Sequence, residues 1–214
     1  MQNSDSLIAR EGYPFIALFA FVTLVFALLG WTLVTLLLLF LTLFTVFFFR
    51  DPARVVPPED NLLLAPADGK VIFVGEVEEE RFFQARVTKI SIFMSVFDVH
   101  VNRAPCTGKV IDMFYNKGEF VNASYDKASR CNEQAGILLE TTTGQKILFV
   151  QIAGLVARRI VTYPLIGDLL ERGARYGLIR FGSRVDIYLP TSFDTTVTLG
   201  ERTVAGETVL GHLS

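Results

Sequence analysis

The chain is short of the residues from which metal and redox sites are built. Its 214 residues include two cysteines and two histidines. Cys106 and Cys131 lack the close spacing of a metal knuckle or redox pair, and His100 and His212 stand far apart, which leaves no ligand set for a structural metal. Two thiols in a chain of this size read as ordinary reduced cysteines, consistent with a domain facing the cytosol. An excess of one charge is missing too. With 20 basic and 22 acidic residues the formal net charge is −2, so there is no polycationic surface and no nucleic-acid partner is expected. The length suits one catalytic domain with an anchor and excludes a large multidomain enzyme.

The most telling absence is local. From Tyr13 to Phe49 there is no charged residue, and the apolar surplus behind a mean hydropathy of +0.42 and 19 Phe is concentrated there. At about 1.5 Å per residue this run far exceeds what one helix needs to cross a ~30 Å hydrocarbon core. Gly30-Trp31 lies near its middle, where Gly loosens a helix and Trp prefers a membrane interface. The expectation is an α-helical hairpin within residues 1–50, with arms Pro14–Leu29 and Thr32–Phe49. Each arm is near the lower limit for spanning, so a transmembrane and a re-entrant hairpin both fit. A cleaved signal peptide fits poorly, because the stretch is too long and no small-residue cleavage site follows. Arg10 precedes the hairpin and Arg50 and Arg54 follow it, which by the positive-inside bias puts both flanks, and the rest of the chain, on the cytoplasmic side of the cell membrane.

Residues 51–214 form the expected catalytic domain, entered through the Pro-rich linker Asp51–Asp60. Short β-branched and aromatic runs separated by Gly, Asn and Asp predict strands at Val71–Val77, Arg86–Phe93, Val110–Phe114, Gly136–Glu140, Lys146–Ile152, Arg184–Leu189 and Thr195–Thr198. Only Tyr163–Glu171 has a helix-like pattern. The fold class is mostly β, a barrel-sandwich-like antiparallel domain behind the hairpin. Gly69-Lys-Val-Ile72 and Gly108-Lys-Val-Ile111 form an internal echo that suggests duplicated β units. The segment from Thr198 to Gly211 is similar to the turn-strand-turn close of lipoyl-type barrel-sandwich folds, a likeness of fold only.

Four local features could carry chemistry. Ala65-Pro-Ala-Asp-Gly69 is first of all a turn, with Asp68 as a candidate acid. His100 stands in an apolar alternation near Asp98 and Arg103; a histidine there is more often a packing residue, yet it is the one candidate general base away from the extreme C-terminus. Gly182-Ser183 precedes a strand and reads as a turn, but a serine directly after glycine also suits backbone self-cleavage, since the absent Cβ leaves the Gly182 carbonyl open to attack. Arg158 and Arg159 follow a buried-looking strand as solvated charge or as an anion site.

In order, Ala67-Asp68-Gly69, Phe97-x-x-His100-x-x-Arg103-x-Pro105, Ala153-Gly154-x-x-Ala157-Arg158-Arg159-Ile160 and Phe181-Gly182-Ser183-Arg184 resemble the short prokaryotic type of phosphatidylserine decarboxylase, a pyruvoyl-dependent family. The resemblance covers roughly Pro52 to Ser214. It implies cleavage between Gly182 and Ser183 into a large chain with the anchor and a small chain headed by a pyruvoyl group made from Ser183. The two would stay associated, with no metal, no pyridoxal phosphate and no external cofactor. It further implies that His100, supported by Asp68, takes the Ser183 hydroxyl proton, and that the substrate is phosphatidylserine in the bilayer.

One departure matters. Longer members carry a second histidine three positions after the first, where this chain has Arg103, so His100 serves both cleavage and decarboxylation or Arg103 steadies a charge. Arg158, Arg159 and Arg103 are nominated for the substrate phosphate, with Arg180 and Arg184 in reserve. A membrane anchor favours a lipid over a free amino acid. It does not separate phosphatidylserine from archaetidylserine, and a homo-oligomer is left open. The runner-up, from a different class, is a membrane-tethered barrel-sandwich adaptor without enzymatic activity.

Overall fold

The computed structural model describes residues 6–118, 132–154, 159–180 and 182–213. They fall into two compact units, Met1–Ala53 and Arg54–Ser214.

In the first unit, helix α1 (Tyr13–Leu28) and helix α2 (Thr32–Phe48) form the hairpin, with Gly30 at φ +75° in the turn. No residue of α1 is buried, and the segment Arg10–Leu28 is long and apolar enough to cross a membrane; α2 is shorter and equally apolar. Most of the few helix hydroxyls are satisfied within the hairpin. Thr23, Thr42 and Thr45 donate to Phe19, Leu38 and Leu41 carbonyls one turn back, and the Thr23 and Thr42 hydroxyls meet across the helices at 3.1 Å. The open ends are tied together, Ala9 N–H donating to the Phe49 carbonyl and Asp51 N–H to the Leu7 carbonyl. Both flanks of the hairpin therefore leave from the same end.

The second unit is built from strands: β1 (Leu62–Leu64), β2 (Gly69–Glu79), β3 (Ala85–Met94), β4 (Val101–Arg103), β5 (Gly108–Asn116), β6 (Gln134–Glu140), β7 (Lys146–Ala153), β8 (Ile160–Thr162), β9 (Leu169–Leu170), β10 (Arg175–Ile179), β11 (Ser183–Pro190), β12 (Arg202–Thr203) and β13 (Val209–His212). Eight form one curled antiparallel half-barrel in the order β12-β2-β3-β11-β7-β6-β5-β9; β4-β10-β8 and β1-β13 are separate small sheets. Alternation along the long strands sends Ile90, Ile92, Ile137, Leu139, Phe149, Val185, Ile187 and Leu189 into the main core, and Leu138, Leu148, Val150 and Ile152 to the other face.

The internal echo is a structural repeat. Gly69 and Gly108 each begin a strand where a Cβ would strike a neighbouring backbone oxygen, of Phe93 and Glu140 respectively. Val71 and Val110 are fully buried, and each strand shifts register right after its valine. A two-residue strand caps each copy, β12 on β2 and β9 on β5. Crossed hydrogen bonds repeat as well: Leu64 N–H to Pro105 O and Arg103 N–H to Pro66 O, Ala65 N–H to Thr208 O and Ala104 N–H to Ala174 O, Leu213 N–H to Asn61 O and Ile179 N–H to His100 O. A pseudo-twofold axis thus relates β1, β2, β12 and β13 to β4, β5, β9 and β10, and exchanges the central neighbours β11 and β7.

Two expectations are corrected. Tyr163–Glu171 contains no helix: Pro164 offers no N–H, Gly167 takes φ +98°, Asp168 accepts the Leu165 N–H at 2.9 Å, and Leu169–Leu170 pair with β5 as a strand. Thr195–Thr198 makes a single bridge, Thr195 to Gly211, rather than a strand.

Candidate functional site

Ser183 heads β11, where it is flanked by Met94 of β3 and Ala153 of β7. It is fully buried, and its Oγ has no hydrogen-bond partner among the described residues. Leaving a hydroxyl unsatisfied in an interior costs about 1–3 kcal/mol, so the fold holds this group back from ordinary pairing. Gly182, directly before it, sits at φ +66° with open space where a Cβ would project. That left-handed turn is what glycine supplies, and it leaves the carbonyl of the 182–183 peptide without a flanking side chain.

His100 lies just ahead of β4 and is fully buried. Its Nδ1 is 3.0 Å from the Asp98 carbonyl oxygen, which can only accept, so Nδ1 carries the proton and the buried Nε2 is the basic nitrogen. Asp98 is itself pinned: its carboxylate accepts the Ser95 N–H and hydroxyl at 2.8 Å each and lies 3.4 Å from Arg202. Two contacts bring His100 to the serine end of the sheet. Its carbonyl accepts the Ile179 N–H, four residues before Ser183, and Asn102, two residues after it, lies with Nδ2 3.5 Å from the sulfur of Met94, the residue directly across from Ser183.

Asp68 stands before β2, whose first residues run beside the end of β3, so it shares this end of the sheet. Its described partners are Arg54, whose guanidinium donates to both carboxylate oxygens at 2.9 and 2.7 Å, and the Ala205 N–H at 2.8 Å. Arg54, counted in the sequence as a membrane-flanking charge, is nine-tenths buried against this acid.

The nominated arginines separate. Arg158 lies outside the described residues. Arg159 is exposed at the start of β8, and its carbonyl accepts the Arg180 N–H. Arg103 is buried and donates to the Gly173 carbonyl at 3.0 Å, holding the turn before β10. Arg184, a reserve, is fully buried in an ion pair with Asp186 at 2.8 Å that Lys89 joins at 3.1 Å, on the sheet face opposite Ser183. No group of three or more potential metal-ligating side chains occurs among the described residues.

Sequence alone assigns no site role to Arg54, Asn102, Gln151 or Thr162. The last three form a chain that runs from a half-buried threonine to two buried amides: Thr162 Oγ1 donates to Gln151 Oε1 at 3.1 Å, and Gln151 Nε2 donates to Asn102 Oδ1 at 2.8 Å. The available signal was Gln151 itself, the one polar residue in the apolar run Ile147–Ala153.

Fold and comparisons together define the class, a β-rich carboxy-lyase. The family model for phosphatidylserine decarboxylase matches residues 41–211. The chain is similar over its whole length and theirs to proteins named phosphatidylserine decarboxylase proenzyme, at 67% identity in Syntrophotalea carbinolica, 58% in Citrifermentans bemidjiense and 53% in Geotalea uraniireducens. The chain belongs to the phosphatidylserine decarboxylase family, which sets aside the non-enzymatic adaptor.

Proposed function

We propose that this chain is a self-processing decarboxylase that turns phosphatidylserine into phosphatidylethanolamine and carbon dioxide at a membrane surface, with a pyruvoyl group made from Ser183 as its cofactor. The observation that carries the reading is a buried serine hydroxyl without a partner among the described residues, directly after a left-handed glycine. His100 Nε2 takes the hydroxyl proton as Oγ adds to the Gly182 carbonyl carbon; the peptide C–N bond breaks, giving an ester and a free Ser183 amine. Removal of the Ser183 Cα proton then breaks the Cβ–O bond, releasing the Gly182 carboxylate and leaving dehydroalanine. Water replaces its nitrogen as ammonia departs. Formed in this way, the pyruvoyl group supplies a ketone conjugated to an amide, a sink for the electrons left behind when the substrate carboxylate departs.

Asp68, held by Arg54, keeps a fixed negative charge at the same end of the sheet, which favours the imidazolium that His100 becomes. Among the described residues Arg159 is the nominated arginine that is exposed, and it is our choice for the phosphate. After cleavage the small chain stays seated, because all eight residues of β11 pair with β3, six of them also with β7, while β12 and β13 pair with β2 and β1. The hairpin anchors the enzyme beside its lipid substrate, and its paired ends with Arg10 and Arg50 favour a cytoplasmic catalytic unit.

Intact mass and a denaturing gel of active protein test the reading. Two fragments are expected, the smaller with a blocked N-terminus that hydroxylamine or borohydride modifies, and Ser183→Ala should stay uncut and inactive. A single full-length species that releases carbon dioxide from phosphatidylserine sinks it.

A further inference from the structure

The pseudo-twofold axis gives every residue near Ser183 a counterpart in the other half, built on the same backbone without the reactive serine. Asn102, the middle residue of β4, corresponds to Leu63, the middle residue of β1. Gln151 corresponds to Leu189: Phe93 and Glu140 hold equivalent places opposite Lys70 and Lys109, so Thr88 and Ala135, each five residues earlier, are equivalent, and they pair with Leu189 and Gln151. Gly177, paired with Thr162, corresponds to Gly211, bridged to Thr195. A Cβ on Gly211 would strike the ring of Phe193 and the Asp194 carbonyl; one on Gly177 would strike the Val161 carbonyl and the amide of Gln151. One half fills this interior position with hydrocarbon, and the other with an amide chain.

Leu63 and Leu189 are fully buried in the main core, so the architecture accepts leucine at both places. Asn102 and Gln151 are equally buried. Sealed from solvent and bonded to one another, they are placed to hold something rather than to bind a ligand. What they hold is defined by their ends. Asn102 lies on the strand that His100 leads into and touches Met94, one flank of Ser183; Gln151 lies two residues before Ala153, the other flank. We propose that Thr162, Gln151 and Asn102 form a positioning relay that fixes the strand bearing His100 against the two neighbours of Ser183, setting base and nucleophile in register for backbone cleavage. This rests on the self-processing reading above.

The test copies the other half. Asn102→Leu/Gln151→Leu removes both amides together, which leaves no orphaned partner between them and keeps the fold. The uncut precursor should melt cooperatively yet mature about a hundredfold more slowly, the penalty of a misplacement near 1 Å. Thr162→Val, which removes only the outer hydrogen bond, should slow maturation severalfold, and Thr162→Ser, which keeps the hydroxyl, should restore it. Leu148→Ala, on the opposite face of β7, serves as the purely structural control: it should lower the melting temperature and leave maturation at the parental rate. A folded double variant that matures at the parental rate overturns the relay. If the double variant does not fold, Thr162→Val decides: parental speed overturns the proposal, and a slow rate that Thr162→Ser restores supports it. Ser183→Ala is run alongside; if that protein is still cut, the self-processing reading fails, whatever the relay variants do.

Discussion

Residues 65–72 and 104–111 read Ala-Pro-Ala-Asp-Gly-Lys-Val-Ile and Ala-Pro-Cys-Thr-Gly-Lys-Val-Ile, and they fold alike in backbone detail. Asp68 accepts the Ala205 N–H at 2.8 Å where Thr107 accepts the Arg172 N–H at 3.1 Å. The Gly206 N–H goes to Ala65 as the Gly173 N–H goes to Ala104. Thr107 therefore shows how much of Asp68 is architecture: one accepted hydrogen bond. The negative charge, and the Arg54 that pairs with it, is what the first copy adds. His100 likewise has Asn61 as its counterpart, since the two carbonyls take equivalent bonds from Ile179 and Leu213. Positions at which both copies agree build the fold, and Asp68 and His100, where only one copy carries an acid or a base, are the ones the proposed chemistry uses.

Exchanging residues between the copies sharpens this division. The largest effect is expected from His100→Asn, which installs the residue of the other half: the precursor should fold, and its cleavage, followed on a gel, should slow by about 10²–10⁴-fold, the usual contribution of a general base. Next comes Asp68→Thr. Its hydroxyl can still accept the Ala205 N–H, but the largely buried Arg54 loses its carboxylate, so the melting temperature should fall, while cleavage of the folded precursor should slow by about tenfold, equivalent to about 1.4 kcal/mol of barrier. Cleavage at the parental rate would show that the charge is dispensable. Gly182→Ala meets no atom within 4 Å, so its effect isolates the φ +66° strain, about 1–2 kcal/mol in the melt together with slower cleavage.

The smallest effect belongs to Cys106→Ala, which copies Ala67. Burial holds the Cys106 thiol up at about 12 from an ordinary 9.0, with Arg172 pulling the other way. The unfolded thiol ionises first, so stability should decline as pH rises above 9, and the alanine variant should lose that slope at a cost of about 1 kcal/mol at neutral pH. Equal alkaline slopes in the two proteins would contradict this assignment.

Much of the large sheet was legible: β2 and β5 alternate partly between buried and exposed residues, while β3, β6, β7 and β11, buried on both faces, show as near-continuous apolar runs rich in β-branched residues. The three-residue strands β1, β4 and β8 are too short to show a period, and β4 and β8 carry Asn102 and Thr162. The apolar spacing of 163–171 looked helical since Leu165, Ile166 and Leu169 are exposed turn and edge residues rather than a core-facing stripe. Ser183 and His100 could be nominated from the sequence because the proposed chemistry restricts what can stand there. Asn102 and Thr162 could not, and Gln151 showed only as a polar residue in an apolar run, since a hydrogen-bond partner distant in sequence becomes visible only in the fold. The Arg54 ion pair was hidden for the same reason, its partner Asp68 lying beyond the linker.

A central strand such as β11, hydrogen-bonded along both edges, makes the Gly182–Ser183 junction a poor place for a reversible break. A cut there would create a chain end that remains embedded between two neighbours and could leave only if the half-barrel were taken apart. The reactive terminus could then be neither exchanged between molecules nor added back from outside. Each copy would mature once, in place, and a molecule whose terminus was spoiled would have to be replaced rather than repaired.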